Sequence, residues 1–126
     1  MIALTNAEEQ VMKYLWRLEK AFFKDLKSQY PDPKPATTTI NTLLKRLIDK
    51  GYVGFRMYGN SREYYPVVEK NEYFGKQVKE LIKDFFSNST EQFASFFAQE
   101  TDMDITALEE LKEIVEKQIE KRKKNE

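Results

Sequence analysis

The 126-residue chain contains no cysteine and no histidine. Without cysteine there is neither a disulfide framework nor a thiolate metal site, a usage that fits a reducing cytoplasm. Without histidine there is no imidazole ligand and no Ser/His or Cys/His nucleophile. Glycine is scarce too: its four occurrences include no phosphate-cradling loop and no dinucleotide fingerprint. The N-terminus shows no basic stretch running into an apolar one, so no signal peptide is expected. No run approaches the roughly 18 apolar residues of a membrane span, which excludes direct membrane insertion as an expectation. Carboxylates are plentiful, but Glu8, Glu9, Glu109, Glu110 and Glu113 fall at helix starts or on faces expected to be solvated. No catalytic residue, metal site or cofactor can therefore be nominated. A carboxylate-only hydrolase would need convergent acids that the spacing does not supply, so the chain is not expected to be an enzyme.

What is present is enough for a folded protein. Apolar residues make up 40% and prolines number only four, which argues against wholesale disorder. The length allows one domain, or a small domain with an appendage. Basic and acidic residues cancel at 21 each, but unevenly along the chain. Residues 1–70 hold 12 Lys/Arg against 8 Asp/Glu, and residues 71–126 hold 9 against 13. The first part is thus +4 and the second −4, so phosphate affinity of a single copy should be weak and salt-sensitive.

The clearest pattern lies between Thr37 and Gly51. Ile40, Leu43, Leu44, Leu47 and Ile48 recur at i, i+3, i+4, i+7 and i+8, one face of an α-helix. The opposite face carries Thr38, Thr42, Lys45 and Asp49, flanked by Thr39, Asn41 and Arg46. Three consecutive threonines, Thr37 to Thr39, are weak helix formers and an odd choice for an outer face. Short hydroxyl side chains at a helix N-terminus can, however, touch base edges, thymine methyls and phosphates. This stretch is a candidate recognition helix of a DNA-binding domain; the alternative is an ordinary amphipathic helix.

Around it the chain reads in order. Thr5-Asn6-Ala7-Glu8 has the spacing of a capping box, followed by Val11, Met12, Leu15 and Trp16, so a first helix should run from about Asn6 to Leu18 with Trp16 in the core. A second helix is expected from about Phe22 to Tyr30, ending before the stiff Pro31, Pro33, Pro35 connector. Past Gly51, a suitable left-handed helix end preceded by Lys50, the pattern turns to strand. Tyr52 to Tyr58 alternates Val53, Phe55 and Met57 with Gly54, Arg56 and Tyr58, Gly59-Asn60-Ser61 supplies a turn, and Arg62 to Val68 returns. Helix, helix, helix and hairpin in about 65 residues suggest a winged helix-turn-helix.

From Asn71 onward the chain reads as helical. Phe74, Val78, Leu81, Ile82, Phe85 and Phe86 repeat up to a break at Ser87-Asn88-Ser89. Phe93, Phe96 and Phe97 mark a short helix. A last one begins at a Thr106/Glu109 capping box, with Asp104 as a competing cap. Leu108, Leu111, Val115 and Ile119 lead to a basic Lys121–Lys124 tail expected to fray into solvent. Phenylalanine is denser here than short helices need to cover a winged helix, and buried aromatics are what subunit interfaces use. The expected architecture is mainly α with a small β-hairpin: a winged-helix DNA-binding domain at 1–70 and a helical dimerisation region at 71–126. The other arrangement has these helices folding back on their own domain.

The residues also resemble a known family. Leu4-Thr5-Asn6-Ala7-Glu8-Glu9-Gln10-Val11-Met12 with Leu15-Trp16 resembles the opening pattern of the penicillinase repressor family. The run from Thr39 to Tyr52 (TINTLLKRLIDKGY) resembles its recognition segment. Tyr64-Tyr65-Pro66-Val67 resembles the strand closing its wing, and Asp104 to Leu111 the start of its final helix. The resemblance implies a dimeric winged-helix transcriptional repressor acting on a dyad operator in the cytoplasm, commonly relieved by a membrane sensor protease that cuts near the C-terminal helices. It places Thr38, Thr39, Asn41, Thr42 and Arg46 at the major groove or its phosphates, and Arg56 and Arg62 on the wing near the backbone; Thr37 and Lys45 of the same helix complete the candidate DNA-binding set. Pairing of two copies would use Phe85, Phe86, Phe93, Phe96, Phe97, Leu108, Leu111 and Val115. Members with mapped groove contacts are more basic at the start of this helix, where Thr37, Thr38 and Asn41 are neutral. The Asn–Phe bond cut in β-lactam-responsive members falls near Phe96-Phe97, where no asparagine stands. The rival function is a winged-helix protein-interaction module that binds no specific DNA, which the neutral net charge would suit.

Overall fold

The computed structural model describes residues 2–126. Its elements in order are α1 (Asn6–Leu18), β1 (Ala21–Phe22), α2 (Phe23–Ser28), α3 (Thr37–Asp49), β2 (Val53–Tyr58), β3 (Ser61–Pro66), α4 (Lys70–Phe85), α5 (Thr90–Glu100) and α6 (Ile105–Lys124). The chain divides into two compact units, Met1–Lys76 and Gln77–Glu126, the division falling inside α4. Three helices followed by a hairpin make the first unit the winged helix expected from the pattern.

Its core comes from the apolar stripes. Val11, Met12 and Leu15 of α1, Leu26 of α2, and Ile40, Leu44 and Leu47 of α3 are buried together with Tyr52, Val53 and Tyr64. α1 begins with the Thr5–Glu8 capping box: Glu8 N–H donates to Thr5 Oγ1 (3.2 Å) and Thr5 N–H to Glu8 Oε1 (2.8 Å). α3 ends at Gly51, whose φ of +84° is the left-handed conformation that a Cβ would oppose.

Two local expectations are corrected. The helix expected over 22–30 covers only Phe23–Ser28, because Ala21 and Phe22 form a short strand paired antiparallel with Tyr64 and Glu63. The sheet is therefore three-stranded, in the order β1-β3-β2. Asp25 starts the shortened helix by accepting from Phe22 N–H (3.1 Å). Trp16 is half-buried rather than core: its Nε1–H donates to the Val68 carbonyl (2.9 Å) while its ring packs beside Tyr73 and Phe74. Glu8 sits at a helix start, as expected, and there has no exposed surface.

The hairpin turn is also tighter than its sequence suggests. Ser61 belongs to β3 and pairs with Tyr58, so the loop is Gly59-Asn60 alone. Gly59 has φ +60°, which suits the two-residue turn with glycine first. Met57 thereby faces Arg62, Phe55 faces Tyr64, and Arg56 faces Glu63.

In the second unit α5 is capped by Ser89, whose Oγ accepts from Gln92 N–H (3.1 Å). α6 is capped by Asp104, whose Oδ1 accepts from Ala107 N–H (2.8 Å), so the competing cap wins over Thr106. The basic run Lys121–Lys124 continues α6 rather than fraying, as cations suit the negative end of a helix. Among the described residues no helix is long and apolar enough to cross a membrane.

Candidate nucleic-acid interface

α3 presents two sharply different faces. Ile40, Leu43, Leu44 and Leu47 are buried, which leaves Thr37, Thr38, Thr39, Asn41, Thr42, Lys45 and Arg46 exposed along the outside. The helix rests on its apolar stripe, and that alone turns its polar stripe outward. Two hydroxyls already have partners. Thr42 Oγ1 donates to the Thr38 carbonyl one turn back (2.9 Å), and Thr37 Oγ1 accepts from Lys27 Nζ (3.1 Å). Thr42 keeps its lone pairs and methyl for an outside partner.

The wing meets this helix along one edge. An open cleft of about 550 Å³ has Asn41 and Lys45 of α3 on one side, Arg62 of β3 on the other, and Ile48, Phe55 and Tyr64 beneath. The guanidinium of Arg62 lies over the Phe55 ring, 4.2 Å from its centroid. Arg56 is exposed on the opposite face of the hairpin, across from Glu63. Of the nine nominated residues the fold thus gathers Asn41, Lys45 and Arg62 at one cleft; Thr37, Thr38 and Thr39 lie toward the start of the same helix, Thr42 and Arg46 are exposed on it outside the cleft lining, and Arg56 is on the other face of the hairpin.

Two contributors were not visible in sequence. Phe55 reads there as one alternating apolar residue, with nothing to say that a cation would sit on its ring. Lys50 reads as a helix-end cation, yet its Nζ donates to buried Glu8 Oε1 (2.7 Å) and to the Ala3 carbonyl (3.2 Å). This pair fixes the end of α3 to the start of α1, and Tyr52 OH donates to the Ile2 carbonyl beside it. Burial pushes the Glu8 carboxyl up, but hydrogen bonds from Lys50 and Thr5 together with the Lys50 charge outweigh it, and the net shift is downward.

The first unit has a second concavity outside this edge. It has a volume of about 770 Å³ between α1 and the start of α4 and mixes Lys13, Arg17 and Lys70 with Glu9 and Glu69 beside Trp16 and Phe74, a balance of charge unlike a phosphate track. Among the described residues no group of three or more acidic side chains could hold a metal ion.

The residues nominated for pairing all lie in the second unit. Phe86 packs edge-on to Phe93 (5.6 Å between centroids) and tilted to Phe96 (5.0 Å), while Phe93 stacks on Phe97 (6.0 Å). Phe85, Phe96, Phe97, Leu108 and Val115 are exposed, and Phe86, Phe93 and Leu111 are half-buried. Ile105 and Ile114, which were not nominated, are 74% and 64% exposed.

Comparison with known proteins decides the family. A model of the penicillinase repressor matches residues 4–117. The chain belongs to the penicillinase repressor family. It is 25% identical over 115 residues to the methicillin resistance regulatory protein MecI of Staphylococcus aureus (strain N315), covering 90% of this chain and 94% of that one. The corresponding protein of Mammaliicoccus sciuri is 24% identical over the same length. Among solved structures, one of the CopR repressor is 30% identical, spanning 54% of this chain and all of that one, with a TM-score of 0.45. As a penicillinase repressor family member the chain is a DNA-binding transcriptional repressor and not an enzyme.

Proposed function

We propose that this repressor acts as a homodimer that occludes a dyad operator. One observation carries the pairing: among the described residues none of the second unit, Gln77–Glu126, is buried, although it holds five phenylalanines and many aliphatics. A 50-residue unit with no buried side chain has no core of its own to speak of, and a second copy laid against its apolar faces would supply one. In the pairing surface we place Phe85, Phe86, Phe93, Phe96, Phe97, Leu108, Leu111 and Val115.

Pairing also answers the weak charge of a single copy. Two +4 domains joined in one particle make the second DNA contact intramolecular, raising avidity by roughly 10²–10⁴. The two α3 helices then enter successive major grooves about one helical turn apart. Thr37, Thr38, Thr39, Asn41 and Thr42 face bases or phosphates, Lys45 and Arg46 phosphates, and Arg62 and Arg56 the backbone beside the wing. Relief of repression by a sensor protease cutting near the C-terminal helices belongs to the same reading, at a bond other than Asn–Phe.

A gel-shift titration against the DNA upstream of the protein's own gene, beside a shuffled fragment and at two salt concentrations, tests it. Selective binding that saturates at two protomers per dyad is expected. Equal, weak binding to both fragments that vanishes at moderate salt would overturn it and leave the second unit as a surface for another protein.

A further inference from the structure

We infer that Phe55 is a positioning residue for DNA binding: its ring holds Arg62 at the α3 side of the wing, beside Asn41 and Lys45. The inference rests on the proposed placement of α3 and the wing against DNA.

Three observations converge on it. The two-residue turn puts Arg62 opposite Met57, and so on the same face of the hairpin as Phe55 and Tyr64, one pair nearer the core. Phe55 is half-buried, packs against the core cluster and lies 6.2 Å from the Tyr64 ring, so its own position is set from below. Its upper face carries the Arg62 guanidinium at 4.2 Å, and both side chains line the cleft that Asn41 and Lys45 close from the helix.

The physical consequence is pre-organisation. A free arginine on an exposed hairpin samples many rotamers, and ordering it on binding subtracts from affinity. A guanidinium held over a ring has lost much of that freedom before DNA arrives, while its edge N–H groups remain available to a phosphate or base. Among the described residues Arg56, the other wing arginine, has no ring beneath it. The two arginines should therefore contribute unequally.

The test uses the full chain. In the free protein, the Arg62 side-chain protons should show upfield ring-current shifts by NMR that Phe55→Leu removes and Phe55→Tyr retains. Operator titrations over a salt series then form a double-mutant cycle of Phe55→Leu and Arg62→Ala. Arg62→Ala should reduce the salt slope by about one unit per protomer. Phe55→Leu should weaken binding about two- to fivefold per protomer with Arg62 present, and have no further effect once Arg62 is alanine. Phe55→Tyr should bind as the wild type does. An equal loss from Phe55→Leu in both backgrounds would make Phe55 merely structural and overturn the inference. So would unshifted Arg62 protons in a protein whose Arg62→Ala variant loses affinity, a result that leaves the proposed DNA placement intact. An Arg62→Ala variant with unchanged affinity and slope would instead remove Arg62 from the interface, and the inference with it, whatever the NMR shows. If Phe55→Leu fails to fold, the same comparisons are made with Phe55→Met, which keeps apolar volume without a ring.

Discussion

Lys50 Nζ lies 2.7 Å from Oε1 of Glu8, a carboxylate with no exposed surface, 42 positions earlier in the chain. The contact ties the end of α3 to the capping box that begins α1. Glu8 Oε1 serves both the cap and the lysine, while Oε2 is buried with no hydrogen-bond partner. A buried carboxylate served on one oxygen depends heavily on its cation.

Removing that cation should therefore be costly. Lys50→Met is expected to destabilise the protein by about 3 kcal/mol at neutral pH, since it leaves a buried charge uncompensated. The Glu8 carboxyl is held below its ordinary 4.5 in the folded state. Its contribution is thus fully present above pH 4.5 and is lost as pH falls through the lowered folded value. Denaturant unfolding from pH 7 downward should show an acid limb in the wild type that is shallower in Glu8→Gln. Parallel curves for the two would refute this assignment.

Gly51 closes α3 in the left-handed conformation, and nothing lies near enough to obstruct a Cβ there. The cost of Gly51→Ala is then conformational, about 1 kcal/mol by thermal or chemical denaturation. A neutral result would mean that the backbone relaxes out of positive φ.

Within α3 the residues should divide by role. Lys45→Ala and Arg46→Ala are expected to weaken binding to all DNA and to lower the salt slope by about one unit each per protomer. Asn41→Ala should leave the slope alone and narrow the gap between operator and shuffled DNA by about 1–3 kcal/mol per half-site. Competition gel shifts over a salt series measure both quantities. A changed slope for Asn41→Ala would move that residue to the phosphates.

Phe96 is exposed yet packs on Phe86. Placing a charge there with Phe96→Asp should yield a monomer in sedimentation and abolish operator binding, although no DNA-facing residue is altered. A monomeric variant with normal operator affinity would refute occlusion by a dimer.

Much of this fold is legible in the sequence because its long helices are strongly periodic. The spacing from Val11 to Trp16 and from Ile40 to Ile48 determines which sides of α1 and α3 are buried, and hence that the threonines, Asn41, Lys45 and Arg46 face outward. Thr5-Asn6-Ala7-Glu8 marks the start of α1 and Gly51 the end of α3, since each is a local signal acting over one turn. Only the tertiary structure decides what depends on partners distant in the chain. Ala21 and Phe22 are too few to show any period, and become a strand because β3 offers them an edge. Glu8 reads in sequence as a helix-start acid, and only the fold shows Lys50 and the core closing over it. Arg56 and Arg62 look equivalent on the wing until the register is known. With the loop reduced to Gly59-Asn60 they fall on opposite faces, because a shift of one residue in a strand moves every side chain to the other side.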